Sequence, residues 1–156
     1  RDFELSKSQI DLKDEMDTII KKFAHASDKR GLRVINRLDN FKIYSQKSLF
    51  VDLLSNIYEN AIKYNKEGGE IEIYSLLEAS SIKLCIRDTG IGIANSDIKR
   101  VFERFYVVDK SRDRKVKSTG LGLSIVKHIA DYLEMDISLE STLGEGSTFI
   151  ININLE

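Results

Sequence analysis

The sequence predicts an α/β fold of the α+β kind, a two-layer sandwich in which a mixed, mostly antiparallel sheet of about five strands carries three main helices on one face. Three observations predict it. Apolar residues recur at helical spacing in three long segments and at alternating positions in several short ones. The two kinds of segment do not alternate regularly, which argues against a parallel sheet. A hydrophobic fraction of 42% over 156 residues is enough for one core.

The helices are predicted where apolar residues lie three and four positions apart. The first spans about residues 8–23, the second begins at Gln46 and stops at the glycine pair 68–69, and the third spans 121–133. Alternating apolar residues predict short strands at 32–38, 41–44, 71–73, 82–86, 137–139 and 149–155. The fourth of these strands leads directly to Asp88.

The charge balance and the cysteine content exclude some classes of function. Lys and Arg number 24 and Asp and Glu number 25, so no overall field attracts nucleic acid or an anionic membrane. The single cysteine, Cys85, cannot form an internal disulfide, which makes a reducing compartment, the cytoplasm, the expected location. The start at Arg1 suggests a fragment of a longer protein that another segment could anchor in the cell membrane. Residues 1–7 are then expected to be the remnant of a linker.

The first motif lies on the second helix and reads Asn-Ile-Tyr-Glu-Asn-Ala-Ile-Lys-Tyr-Asn over residues 56–65. Helical spacing places Asn56, Asn60, Lys63 and Tyr64 along one stripe. An Asn oxygen suits a magnesium ion that also holds phosphate, Lys supplies a compact positive charge, and a Tyr ring offers a flat surface to a base. A lone Asn pair would more often mark a solvated helix face, but the glycine motifs downstream favour a ligand.

The second motif, Asp88-Thr-Gly90-Ile-Gly92, follows a strand immediately. The carboxylate of Asp88 therefore lies at the end of the sheet, beside glycine backbone that a ligand can approach closely. Such a carboxylate can accept a hydrogen bond from the amino group of adenine. Asp-Thr-Gly is also ordinary turn chemistry, and the motif alone does not decide between the two interpretations.

The third motif, Gly120-Leu121-Gly122, opens the last helix, where free backbone amides suit a phosphate group. Thr119 adds a hydroxyl donor. The preceding stretch, residues 103–119, is basic and lacks apolar periodicity, so we expect a lid over the phosphates that includes Lys110. The sequence has neither a Walker loop nor a dinucleotide fingerprint, so a different nucleotide-binding fold is required.

Together these motifs resemble the ATP-binding catalytic domain of sensor histidine kinases of bacterial two-component systems, within the superfamily of gyrase, Hsp90, histidine kinases and MutL (the Bergerat or GHKL fold). Residues 56–65 match the N box, 88–92 and 120–122 the two glycine boxes, and 102–105 the F box, while 144–148 resemble the closing glycine turn. The likeness covers nearly the whole chain, with residues 8–156 as the catalytic domain.

The resemblance implies a role for each matching residue. Asn60 coordinates magnesium, Asn56 and Lys63 contact phosphates, Tyr64 lies along the adenine, and Asp88 recognises the adenine amino group. Catalysis is assigned to Asn56, Glu59, Lys63 and Arg104. The implied nucleotide-binding set is Asn60, Tyr64, Asp88, Gly90, Gly92, Lys110, Thr119, Gly120, Leu121, Gly122 and Thr148.

Two departures within the superfamily bear on the reaction. Hydrolysing members have Glu where this chain has Asn56, and an amide cannot act as a general base for water, which favours transfer to another acceptor. Two roles remain open for Glu59: it could polarise a reacting group, or it could simply be an acidic surface residue that favours solubility. The family often has Arg after Phe-Tyr at the lid entrance, where this chain has Val107. Arg104 or another basic lid residue must then substitute, or transfer is impaired.

The phosphate acceptor is expected on another domain. His25 and His128 lack the acidic residue and the proline that follow acceptor histidines, so both are interpreted as ordinary helix residues. The expected activity is that of a histidine protein kinase that uses ATP and Mg²⁺. Its expected partners are a histidine-bearing dimerisation domain and a response regulator, and the fragment itself is expected to be monomeric. The alternatives are a transfer-deficient nucleotide-binding interaction module and a clamp-type ATPase of the same superfamily.

Overall fold

The computed structural model describes residues 6–103 and 122–155. In chain order its elements are β1 (Ser8–Asp11), α1 (Leu12–Lys22), α2 (Ala24–Lys29), β2 (Arg33–Asn36), β3 (Lys42–Ser45), α3 (Lys47–Lys63), β4 (Glu70–Leu77), β5 (Ser81–Asp88), α4 (Asn95–Ile98), α5 (Gly122–Leu133), β6 (Asp136–Thr142) and β7 (Gly146–Asn154). Within these two ranges, no helix has the length and the apolar character needed to cross a lipid bilayer.

Five strands form the main sheet, in the order β2-β4-β5-β7-β6. Strand β2 runs parallel to β4, and the other three pairs are antiparallel. Strands β1 and β3 form a separate antiparallel pair. The mixed, mostly antiparallel sheet predicted from the sequence is confirmed.

One hydrophobic core lies between the sheet and the helices. Strands β4, β5 and β7 turn alternate residues toward it, and α1, α3 and α5 pack their apolar faces onto those residues. The fully buried members include Met16, Leu53, Leu54, Ile57, Ile71, Ile73, Leu84, Val126 and Ile151. Lys83 and Arg87 project from the opposite side of β5, where charged side chains are only partly buried. The three main helices therefore cover one face, as predicted.

The first helix begins later than predicted. Residues Ser8–Asp11 form β1 and pair with Lys42–Ser45, so the assignment of 8–11 to a helix was wrong. The buried positions Ile10 and Leu12 satisfy strand alternation as well as helical spacing, and only pairing with a strand distant in sequence decides between them. Asp11 then caps α1, because its Oδ1 accepts the Asp14 N–H at 3.1 Å. The short helix α2 was not predicted.

We expect Tyr58→Phe to stabilise the domain. Tyr58 is fully buried, its ring lies 6.0 Å from the ring of Phe23, and its hydroxyl has no hydrogen-bond partner among the described residues. Burial, with a smaller contribution from Asp28, raises the pKa of Tyr58 to about 12. Removing an unpaired buried hydroxyl should raise the free energy of unfolding by about 1 kcal/mol. Urea denaturation checks this, and a loss of stability would show that the hydroxyl is satisfied by water.

Candidate functional site

The site begins at the carboxyl end of α3. The helix ends at Lys63, and the Tyr64 N–H donates to the carbonyl of Asn60 at 3.0 Å. Asn56, Asn60, Lys63 and Tyr64 are all partly buried, whereas Glu59 is exposed. The stripe predicted from helical spacing is therefore partly buried, and Glu59 lies outside it.

The first residue of α5 lies against this stripe. A Cβ atom built on Gly122 would be 3.8 Å from Asn56 Oδ1 and 3.8 Å from Asn60 Nδ2. Asn56 Nδ2 donates to the Asp52 carbonyl at 2.8 Å, which fixes the amide and leaves Oδ1 on the α5 side. The amino terminus of one helix thus meets the asparagines of another, where an anion would find backbone amides. Arg104, Lys110, Thr119, Gly120 and Leu121 lie outside the described residues.

Asp88 ends β5 on the face that the helices cover. Asp88 pairs with Ser147 and lies two residues after the inward-facing Ile86, so its side chain also faces inward. Only 7% of Asp88 is exposed. Burial raises the pKa of Asp88 to about 6, against hydrogen bonding from the backbone of Gly90 and Ser147 and the charge of Arg87. Gly90 N–H donates to Asp88 Oδ1 at 2.9 Å. An ionised carboxylate has about four lone-pair sites, so Asp88 can still accept a hydrogen bond from a ligand.

The glycine turn after Asp88 is wedged between α3 and the β6–β7 hairpin. The Ile91 N–H donates to the Tyr64 carbonyl at 3.0 Å, and a Cβ on Gly90 would lie 2.2 Å from that oxygen. Gly92 has φ +72°, and a Cβ there would lie 2.0 Å from the Thr142 carbonyl oxygen. Only glycine allows these approaches, so the turn places Asp88 and Tyr64 side by side.

Asn65 and Thr89 link the same two segments, and sequence reasoning missed them. Asn65 is 3% exposed, and its Oδ1 accepts from Thr89 Oγ1 at 3.1 Å, while its Nδ2 donates to the Glu70 carbonyl at 3.1 Å. Thr89 Oγ1 also accepts the Glu70 N–H at 2.8 Å. A buried polar group needs such partners. The available signal was that each residue directly follows a predicted ligand-binding residue.

Thr148 is not brought to the site. It pairs with Arg87 and Glu140 and faces the side of the sheet away from the helices, because side chains alternate along β7. Its neighbour Ser147, 7% exposed, takes the inward place beside Asp88. The prediction that Thr148 lines the site is therefore wrong, and the residue one position earlier in β7, Ser147, lies there instead.

Phe102, His25 and His128 lie where expected. Phe102 packs on the core with its ring 6.2 Å from the ring of Phe149, edge to face, which agrees with its interpretation as an anchor for the lid base. His25 and His128 lie exposed on α2 and α5, as predicted for ordinary helix residues.

The residues present fit a nucleotide that brings its own metal. In the described ranges, no group of three or more His, Cys, Asp or Glu side chains could hold a metal ion. Mg²⁺ seldom needs such a cage, since it commonly takes one or two protein oxygens together with phosphate oxygens and water. The side-chain oxygen of Asn60 suits that mode of binding, and Nδ2 of the same amide lies 3.8 Å from the position that a Cβ at residue 122 would take.

Residues 45–156 match the family model of histidine kinase-, DNA gyrase B- and HSP90-like ATPases. The sensor-like histidine kinase SenX3 of Mycolicibacterium smegmatis is 42% identical over 113 residues, which are 72% of this chain and 29% of SenX3. The histidine kinase AdeS of Acinetobacter baumannii is 26% identical, with a TM-score of 0.81 over 99% of this chain and 70% of AdeS.

The fold is also that of the histidine kinase ThkA in its complex with the response regulator TrrA, with a TM-score of 0.78, 20% identity, and coverage of 96% of this chain and 42% of ThkA. The chain spans well under half the length of the SenX3 relatives that it matches, at 29% and 35%.

Proposed function

Because the chain belongs to the family of histidine kinase-, DNA gyrase B- and HSP90-like ATPases, as the ATP-binding catalytic domain of a sensor histidine kinase, we propose that it binds Mg-ATP and donates the γ-phosphate to a histidine. One observation carries the proposal. Three motifs distant in sequence meet at one place, where Gly122 lies beside Asn56 and Asn60 and the turn of residues 88–92 lies on the Tyr64 carbonyl.

The base occupies the end of the site near the glycine turn. The carboxylate oxygen of Asp88 that Gly90 does not use accepts a hydrogen bond from the adenine amino group. Tyr64 lies along the base, and Gly90 and Gly92 let backbone and base approach each other. The low exposure of Asp88 excludes water, which would otherwise compete for that hydrogen bond.

The phosphates lie toward α5. Asn56 and Lys63 contact them, and Asn60 holds the metal. The backbone amides at Gly120–Gly122 and the hydroxyl of Thr119 bind the phosphate groups. We propose a lid at 103–119 that supplies Lys110 and Arg104. Arg104 or another basic lid residue must substitute for the arginine that Val107 replaces, or transfer is impaired. Magnesium, when bound, neutralises charge on the transferring phosphoryl group. The remaining contribution of the protein is to position the γ-phosphate toward an acceptor outside this chain.

The amide at position 56 favours transfer over hydrolysis, because Asn cannot take a proton from water. The carboxylate nearest in sequence, that of Glu59, is exposed and lies off the stripe, so it is poorly placed as a general base. We propose a histidine on a helical dimerisation domain as the acceptor and a response regulator as the onward partner. TrrA is such a regulator in the ThkA complex. The expected location of the catalytic domain is the cytoplasm.

A calorimetric titration with a non-hydrolysable ATP analogue tests the binding step, with Asn60→Ala as the informative variant. Wild type should bind more tightly with Mg²⁺ than with EDTA. Asn60→Ala should lose most of that difference, lowering the affinity in Mg²⁺ about tenfold or more, because one metal ligand is gone. Asn40→Ala, a variant at an exposed loop position, should behave as wild type. Equal Mg²⁺ dependence in Asn60→Ala and wild type contradicts the assignment.

Transfer is tested by adding a histidine-bearing dimerisation domain and labelled ATP. The expected product carries phosphate that is labile to acid and stable to alkali, as a phosphorylated nitrogen is. Release of inorganic phosphate without the added domain would instead favour the clamp-type ATPase. Binding with neither reaction would favour the transfer-deficient interaction module, for which Val107 is the best support.

A further inference from the structure

The end of α3 is held by a residue that none of the motifs contains. The last carbonyl groups of a helix have no partner within it. At α3, Arg30 Nη1 donates to the carbonyls of Ile62 at 2.7 Å and Lys63 at 2.6 Å, and Nη2 donates to the carbonyl of Asn65. A guanidinium at this end also complements the negative pole of the helix. One side chain therefore binds three of four consecutive carbonyls.

The fourth carbonyl in this run belongs to Tyr64, and it accepts from Ile91 N–H of the glycine turn at 3.0 Å. Arg30 thus fixes the backbone on both sides of the residue whose carbonyl carries the turn. Movement of residues 62–65 would move that hydrogen bond, and with it the turn that follows Asp88.

Arg30 is itself well anchored. Its own carbonyl accepts the Gly68 N–H at 2.9 Å, and its Nε donates to Glu67 Oε2 at 3.2 Å. The side chain is 25% exposed, so water competes only partly with its three carbonyl partners. Because backbone and side chain both bind the segment that connects α3 to β4, the guanidinium has little freedom to leave.

We propose that Arg30 is a positioning residue of the nucleotide site, which sets the spacing between Tyr64 and the Asp88 turn. The inference rests on the proposed function. It concerns the adenine end, because the carbonyls that Arg30 binds flank that of Tyr64, whereas Asn56 and Asn60 lie further back in α3, where the helical hydrogen bonds do not depend on Arg30. Loss of the guanidinium should therefore weaken binding of ADP and of a triphosphate analogue by the same factor.

The test compares Arg30→Met, which keeps the aliphatic stem, with Arg30→Lys, which keeps the charge but not the planar fork. Arg37→Met is the matched control, since Arg37 pairs with Glu72 at 2.9 Å and is 60% exposed. Affinities are measured by calorimetry at a temperature where each variant is shown to be folded. Arg30→Met should bind both nucleotides with about tenfold lower affinity. The affinity of Arg30→Lys should fall less, and that of Arg37→Met should hardly change.

Amide hydrogen exchange gives a readout that does not depend on nucleotide. In Arg30→Met, exchange at the Ile91 amide should quicken relative to amides in the middle of β5. Unchanged exchange with unchanged affinity overturns the inference. A loss confined to the triphosphate also overturns it, since the effect would then be at the phosphate end. If wild type binds no nucleotide, the proposed function fails, and the exchange measurement still decides whether Arg30 holds the turn.

Discussion

Asp88→Asn is expected to lower ATP affinity at least about 100-fold while leaving the domain folded. The carboxylate accepts from two backbone donors of the fold, Gly90 N–H at 2.9 Å from Oδ1 and the backbone of Ser147, and from the adenine amino group in the proposed complex. An Asn side chain has only one oxygen. Wherever that oxygen points, the NH2 group faces at least one of these donors, and two donors in a dry site repel each other.

The same substitution should change how stability depends on pH. The pKa of Asp88 is raised from 3.8 to about 6, so between these values the folded state binds a proton that the unfolded state has released. The contribution of Asp88 to the free energy of unfolding therefore falls as pH rises from about 4 to about 6, by roughly 2 to 3 kcal/mol, and is level above. Asn cannot ionise, so Asp88→Asn should lack this fall and should be relatively more stable at pH 7 than at pH 4.

Calorimetry for affinity and urea denaturation between pH 4 and pH 8 together separate the two effects. Asp136→Asn, at an exposed position of β6, is the control and should resemble wild type in both measurements. If Asp88→Asn binds ATP as wild type does, Asp88 does not recognise the base. If its stability follows the same pH curve as wild type, the burial of the carboxylate does not control its ionisation.

Much of the fold was predictable because it depends on local periodicity. The stripe of Asn56, Asn60 and Tyr64 follows from helical spacing alone, and the position of Asp88 follows from the strand that precedes it. What failed depended on pairing between distant segments. Residues 8–11 satisfy two periodicities, and only the partner strand at 42–45 makes them a strand.

The finer parts of the site required the strand register and the tertiary contacts. Thr148 and Ser147 differ only in the face of β7 on which they lie, and a motif read as a string cannot distinguish them. Arg30 lies 32 residues before Ile62, whose carbonyl it binds, and neither α2 nor any motif predicts that contact. The residues proposed to bind the ligand follow local patterns, whereas the residues that hold them in place do so through long-range contacts.

Gly92→Ala should destabilise the domain by about 4 kcal/mol or more, which is a large part of the total stability of a small domain. Two costs combine. At φ +72° an L side chain is strained, and the added methyl would lie 2.0 Å from the Thr142 carbonyl oxygen and 2.9 Å from Leu143 Cα. Both neighbours are backbone atoms, so relief requires the β6–β7 hairpin to move. That movement would break the bond from Gly144 N–H to the Ile91 carbonyl, now 2.7 Å.

Gly68→Ala separates the two costs. Gly68 has φ +71°, nearly the same backbone strain, but no heavy atom of the described residues lies within 4 Å of its added Cβ. It should cost only about 1 kcal/mol. The difference between the two variants in the free energy of unfolding, measured by urea denaturation, then gives the cost of the clash alone. ATP binding should be lost in Gly92→Ala before it is lost in Gly68→Ala. Equal losses of stability in the two variants would mean that the β6–β7 hairpin moves away from the added methyl group at little cost. Close packing of the turn would then not hold Asp88 in place.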